Sequence, residues 1–247
     1  MSLYHRDMNI YGDSGNILTV ARRAGLYGFA PSVHYYDPGG VWPDRVDLVL
    51  GGGGQDQGQG RIMEDLAARG PVLHALADDG TPMLMICGLY QLFGDYFQTS
   101  AGDRLEGIGI IGAHTVGRDR RMIGNLVDHT DGFGDVIGYE NHSGQTYLDD
   151  GVRPLGTVDA QGCGNNGEDR TEGARVGNVI GTYMHGSLLP KNPAVADFLI
   201  RAAVDRRYGR GAFAQQAASL PEENRREIAD LDDLASRAGR VAASRPR

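Results

Sequence analysis

Apolar positions along the chain fall into short runs rather than long stripes, and the runs alternate in period. Residues 82–86 form an uninterrupted apolar run bounded by Asp79-Gly80 and Gly88, the length and setting of a buried parallel strand. Leu89, Leu92 and Phe93 then recur at the i, i+3, i+4 spacing of one helix face, so a helix is predicted directly behind the strand. Residues 33–36, 46–50 and 178–184 read as further strands, and 105–111, 122–127 and 135–139 as glycine-punctuated strands and hairpins. Helical spacing marks about 17–26, capped by Asp13 or Ser14, then 61–69, 71–79 and 193–208, the last with Ala196, Leu199, Ile200 and Ala203 on one face. Residues 222–247 are charged and alanine-rich, a surface helix with a frayed end. The alternation predicts an α/β fold: an open, mostly parallel sheet flanked by helices, with its active site at the strand ends. Residues 1–208 are expected to form one domain and 209–247 a charged helical extension.

Composition narrows the function. The formal net charge is −8 with a sequence pI near 5.3, which argues against a general nucleic-acid binder even though every basic residue except Lys191 is arginine. Two cysteines in unrelated settings, Cys87 and Cys163, make neither a disulfide framework nor a metal site. With no signal peptide or long apolar segment, the expected location is a reducing cytoplasm.

The chemistry gathers at the predicted strand ends. Cys87 falls at the strand-to-helix turn, where unpaired N–H groups favour a thiolate and can receive an oxyanion, and Gly88 leaves room for a sharp turn and a substrate carbonyl. Taken alone, Cys87 is equally read as a buried structural cysteine. The run Gly51-Gly52-Gly53-Gly54-Gln55-Asp56 is a glycine loop at another strand end. It lacks the Gly-Lys-Ser/Thr of a phosphate-binding loop and the spacing of a dinucleotide site, so it reads as a backbone wall facing Cys87 or as a plain surface turn. His185, just past the strand at 178–184, has the best position for a base; His142, in Tyr139-Glu140-Asn141-His142, is its competitor. Cys163 sits in a glycine- and asparagine-rich loop as an incidental thiol.

Taken in order, Tyr11-Gly12-Asp13-Ser14-Gly15-Asn16, Gly52-Gly53-Gly54-Gln55-Asp56, Ile86-Cys87-Gly88-Leu89-Tyr90-Gln91, Leu105-Glu106-Gly107, Tyr139-Glu140-Asn141-His142 and Gly181-Thr182-Tyr183-Met184-His185-Gly186 resemble the class I glutamine amidotransferases of the cobyric acid synthase type. Within them the likeness is to the stand-alone subunits that serve lipid II amidation. The resemblance implies that Cys87 is the nucleophile, His185 its base, the amides of Gly88, Gly53 and Gly54 the oxyanion hole, and Arg121 the residue that binds the glutamine α-carboxylate, with Arg118 and Arg120 as rivals. It implies hydrolysis of L-glutamine with no cofactor or metal in this chain. Ammonia would pass to a MurT-like, Mur-ligase-type partner that uses ATP and Mg to amidate the α-carboxyl of D-glutamate in lipid II. A corrin precursor as acceptor, or an interaction protein that has kept the fold, are the alternatives.

Three positions depart from the family's pattern. Leu89 stands where a second glycine is usual, and the first strand looks short. Ser187 stands two residues after His185, where the wider class carries glutamate. A carboxylate that orients the imidazole is therefore expected from elsewhere: from an aspartate or glutamate of the partner, or from Glu140 or Asp56 of this chain.

Overall fold

The computed structural model describes residues 1–159 and 162–245; Pro246 and Arg247, the end of the predicted tail, lie outside the described residues. The first half alternates strand and helix: β1 (Ser2–Leu3), α1 (Ser14–Leu26), β2 (Tyr35–Tyr36), β3 (Val49–Gly51), α2 (Asp56–Asp78), β4 (Met83–Ile86) and α3 (Gly88–Phe93). A β-rich stretch follows, with β5 (Tyr96–Gln98), β6 (Arg104–Glu106), β7 (Ala113–Thr130), β8 (Gly134–Leu148), β9 (Gly156–Val158) and β10 (Thr171–Glu172). The chain then returns through β11 (Ala174–Val176), β12 (Val179–Thr182) and β13 (Met184–His185) and ends in α4 (Leu188–Lys191), α5 (Pro193–Tyr208), α6 (Ala212–Ala218) and α7 (Glu222–Ala243).

Two sheets result. One has the order β11-β12-β4-β3-β1-β2 and is parallel except for β11. Every residue of β4 is buried within it, as its unbroken apolar run requires, and each such side chain contributes about 1.5–3 kcal/mol when removed from water. This is the open parallel sheet expected from the sequence. The second sheet is mostly antiparallel and is built on the long β7–β8 hairpin; the sequence suggested its pieces but not its separateness.

The boundaries differ in instructive ways. The two helices expected at 61–69 and 71–79 are one, because α2 runs through Pro71. An interior proline costs a helix about 3 kcal/mol, but Ile62, Leu66 and Leu73 are completely buried along α2, and that burial outweighs the lost hydrogen bond. The strand expected over 105–111 stops at Glu106 because residues 107–111 turn to the end of α3: Ile108 N donates to Leu92 O (2.9 Å) and Ile111 N to Phe93 O (2.8 Å). Carbonyls that a helix end leaves without partners are satisfied in this way.

The C-terminal segment is tied down through Arg23 of α1. Its buried guanidinium binds Asp197 of α5 at 2.6 Å and Asp232 of α7 at 2.7 Å. Ala235 and Gly239 of α7 are buried. Among the described residues no helix is long and apolar enough to cross a membrane.

Candidate active site

Cys87 stands where β4 turns into α3, with φ +49° and ψ −100°, a strained conformation for a non-glycine residue. The turn is held at both sides: Cys87 N donates to Thr182 O of β12 at 2.8 Å, and Cys87 O accepts from Gln91 N at 2.9 Å. Backbone strain of this kind persists only where the surroundings over-determine it. A buried amide chain adds to the hold. Gln59 Nε2 of α2 donates to Gly88 O (3.1 Å) and Gln91 Oε1 (2.8 Å), and Gln91 Nε2 donates to the Tyr183 hydroxyl (3.1 Å).

The position after Cys87 must be glycine. A Cβ on Gly88 would lie 2.9 Å from the amide nitrogen of Gly54 and 2.7 Å from Met8 Cε, so the glycine loop and the elbow meet backbone to backbone. Leu89, the departure from the two-glycine pattern, does not crowd the elbow. Its side chain is buried and occupies the room left by Gly51, where a Cβ would fall 2.3 Å from Leu89 Cδ1.

His185 reaches this elbow from the other sheet. The strand expected over 178–184 is broken: β12 pairs with β4, and after Tyr183 the chain switches to pair β13 with β8, His185 opposite Tyr139. Thr182 makes the switch, its hydroxyl accepting from Met184 N (3.0 Å) and donating to Glu172. The imidazole so placed is completely buried. A Cβ on Gly53 would lie 2.4 Å from His185 Cε1 and 3.3 Å from Cys87 Cβ, which shows how closely imidazole, thiol and glycine loop are packed.

The carboxylate behind His185 is Asp13. Its Oδ2 lies 3.1 Å and its Oδ1 3.2 Å from His185 Nδ1, and the same Oδ2 accepts from Gly53 N at 2.7 Å. Asp13 occupies the N-cap position of α1, but its side chain makes no cap hydrogen bond; it turns across to the base instead. Burial works to lower the His185 pKa, and the facing Cys87 charge with the hydrogen bond to Asp13 outweighs it, so that the pKa is raised to about 10. The arrangement is a thiol, an imidazole and a carboxylate in series, the layout of nucleophilic catalysis with an oriented base.

This geometry corrects the expectations for the orienting acid of this chain and for Gly53. The orienting acid does not come from Glu140, whose carboxylate accepts from Cys163 N (3.1 Å) and Gly164 N (2.9 Å), nor from Asp56, which opens α2 on the exposed surface. Within this chain the carboxylate at Nδ1 is that of Asp13. Finally, the N–H of Gly53 is committed to Asp13 Oδ2 at 2.7 Å, so it is not free to receive an oxyanion. Ser187, where the wider class has glutamate, donates to Gly12 O at 2.5 Å and so fastens the Asp13 loop over His185.

Arg121 is set apart from its neighbours by an irregularity. The β7–β8 register shifts between Gly117 and Met122, and in the released segment Arg120 turns to Cys163 Sγ (3.8 Å) while Arg121 turns to Asn141 Oδ1 (2.7 Å) and the Tyr11 hydroxyl (3.2 Å). Tyr11 packs its ring edge on His185 with centroids 5.0 Å apart. The guanidinium therefore lies one side chain away from His185.

Residues 1–193 match the CobB/CobQ-like glutamine amidotransferase domain. The chain belongs to this family. As a CobB/CobQ-like amidotransferase it is 37% identical over 211 residues to the lipid II isoglutaminyl synthase (glutamine-hydrolyzing) subunit GatD of Staphylococcus aureus, covering 84% of this chain and 86% of that one. The GatD subunit of Streptococcus pneumoniae is also 37% identical, over 84% of this chain and 80% of its own. A probable cobyric acid synthase of Methanopyrus kandleri is 32% identical over 62% of this chain but only 33% of its own length. Asp13, placed against His185 in this chain, is the neighbour that the sequence did not disclose. Its signal was a cap-type residue inside a glycine turn, and nothing in the spacing connects it with a histidine 172 positions away.

Proposed function

We propose that this amidotransferase is the glutamine-hydrolysing subunit of an ATP-dependent, MurT-like ligase that amidates the α-carboxyl of D-glutamate in lipid II. The Cys87–His185–Asp13 series is the observation that carries the hydrolytic half of the reading. The acceptor is supported by the GatD relatives, matched over most of their length, whereas the cobyric acid synthase is matched over a third of its own. Cys87 attacks the carboxamide carbon of glutamine, and the developing oxyanion is received by the amides of Gly54 and Gly88, an effect worth about 3–4 kcal/mol per donor in other enzymes. As the C–N bond breaks, the imidazolium of His185 gives its proton to the leaving nitrogen, and ammonia departs. The neutral imidazole then takes a proton from water, whose oxygen attacks the glutamyl thioester and releases glutamate. Asp13 keeps the Nδ1–H tautomer and steadies the imidazolium. Arg121 holds the α-carboxylate, a role that suits a planar guanidinium fork. ATP and Mg belong to the partner.

The test is steady-state release of glutamate from L-glutamine by the full chain, alone and with its co-expressed ligase, followed by mass analysis of lipid II stem peptides. One amide gained per stem peptide is expected. Glutamine hydrolysis coupled to amidation of a corrin precursor, with lipid II unchanged, would transfer the chain to the alternative acceptor.

A further inference from the structure

Tyr11 sits on two consecutive left-handed residues, φ +54° at Tyr11 and +83° at Gly12. For a tyrosine this is an uncommon and strained backbone. The strain is held from both sides, because Ile10 N donates to Gly53 O (3.2 Å) and Gly12 O accepts from Ser187 Oγ. What the strained turn achieves is to project one aromatic ring over the base while leaving it 41% exposed.

The hydroxyl is more informative than the ring. It accepts from Arg121 Nη2, and Arg121 Nε is taken by Asn141. A phenol that accepts one hydrogen bond still has its own proton to give, and the Tyr11 hydroxyl makes no other hydrogen bond among the described residues. The Nη1 side of the guanidinium is likewise open. One carboxylate can therefore take N–H donors from Arg121 and the O–H of Tyr11 together, beside His185. On the reading that glutamine is the substrate, we infer that Tyr11 is a substrate-binding residue: its hydroxyl donates to the α-carboxylate held on Arg121, and its ring closes the site over His185.

The two parts of the role separate by substitution. Tyr11→Phe keeps the ring and removes only the hydroxyl, so capture of a carboxylate-bearing ligand weakens by about tenfold to a hundredfold, the usual range for a lost hydrogen bond to a charged group. Tyr11→Ala also removes the cover. The readout is alkylation of Cys87 in the full chain, which needs no turnover, by two reagents: the chloroketone analogue of L-glutamine, which carries the α-amino acid head, and iodoacetamide, which does not. In Tyr11→Phe the half-saturating concentration of the chloroketone should rise by that factor with the iodoacetamide rate unchanged. Tyr11→Ala should in addition react faster with iodoacetamide. Where hydrolysis is measured, Tyr11→Phe should raise KM and leave kcat within about twofold.

A Tyr11→Phe protein with the parent's chloroketone saturation overturns the assignment of the hydroxyl, and equal slowing with both reagents shows a merely structural residue. If the parent itself takes iodoacetamide at Cys87 but never saturates with the chloroketone, the glutamine reading falls, and the Tyr11 assignment falls with it.

Discussion

The molecule buries two imidazoles beside two carboxylates, and the pairs behave in opposite ways. His185 meets Asp13 at 3.1 Å, and its pKa is held up at about 10. His142 stands 3.7 Å from Glu140, beyond hydrogen-bonding range, with its Nδ1 donating to Gly144 O at 2.7 Å and its ring stacked on Tyr183. Burial, opposed only by that backbone contact and reinforced by the positive charges of His185 and Arg121, lowers its pKa to about 3. Proximity to a carboxylate in the dark interior is thus not enough to charge an imidazole. A facing thiol and a directed Asp13 outweigh desolvation at one ring. At the other, the carboxylate is turned to backbone amides and desolvation wins. The same contrast separates the two rings: His142 gives its Nδ1–H to Gly144 O and lies stacked on Tyr183, whereas His185 gives its to Asp13.

The sharpest way to break this contrast is to remove what His185 faces. Cys87→Ala should abolish glutamate release and leave the fold intact, because the elbow rests on Gly88, Thr182 O and the Gln59–Gln91 amides rather than on sulfur; residual hydrolysis at the parent rate ends the nucleophile assignment. Next in size, Asp13→Asn should lower kcat by roughly 10²–10⁴-fold, as in other oriented-base systems, with the partner present or absent. If neutralising a ligase carboxylate has that effect and Asp13→Asn has none, the acid comes from across the interface after all. His142→Gln should change kcat/KM by less than about fivefold while costing about 1–3 kcal/mol in urea unfolding, the penalty of a disrupted buried hydrogen bond; a hundredfold loss of activity in a stably folded variant would give His142 a chemical role.

The two histidines should also leave opposite marks on stability against pH. His185 has a raised folded pKa, so its contribution is fully present below the unfolded value near 6.5 and is lost as pH climbs through about 10. His142 has a lowered one, so its contribution is present above about 6.5 and is lost as pH falls through about 3. Parent minus Asp13→Asn should therefore shrink on the alkaline side, and parent minus His142→Gln on the acid side; two differences with the same pH slope contradict the assignment. The smallest effect is expected for Cys163→Ala. That thiol is buried against Arg120 at 3.8 Å, and glutamate release should not change.

Legibility in the sequence followed locality. The β4–Cys87–α3 elbow is legible because strand, cysteine and helix are consecutive, and the helix at Pro193–Tyr208 because its period and its proline start are local signals. His185 was visible as a strand-end residue. That its strand is split between two sheets was not, since Tyr183 continues the apolar run without a break in pattern. Asp13 was read as a cap because aspartate ahead of a helix usually is one, and only the packing of the 9–16 turn over β13 redirects it. Pro71 misled in the other direction, where tertiary burial overrode a strong local breaker.

The exchange at Gly51 and Leu89 bears on how such chains are found. Leu89 behind Cys87 packs into the space that Gly51 leaves at the end of β3, where a Cβ would fall 2.3 Å from Leu89 Cδ1. A search string requiring two glycines after the cysteine would discard this chain, although its elbow geometry is intact. A filter that accepts a leucine at 89 where residue 51 is glycine would retain it.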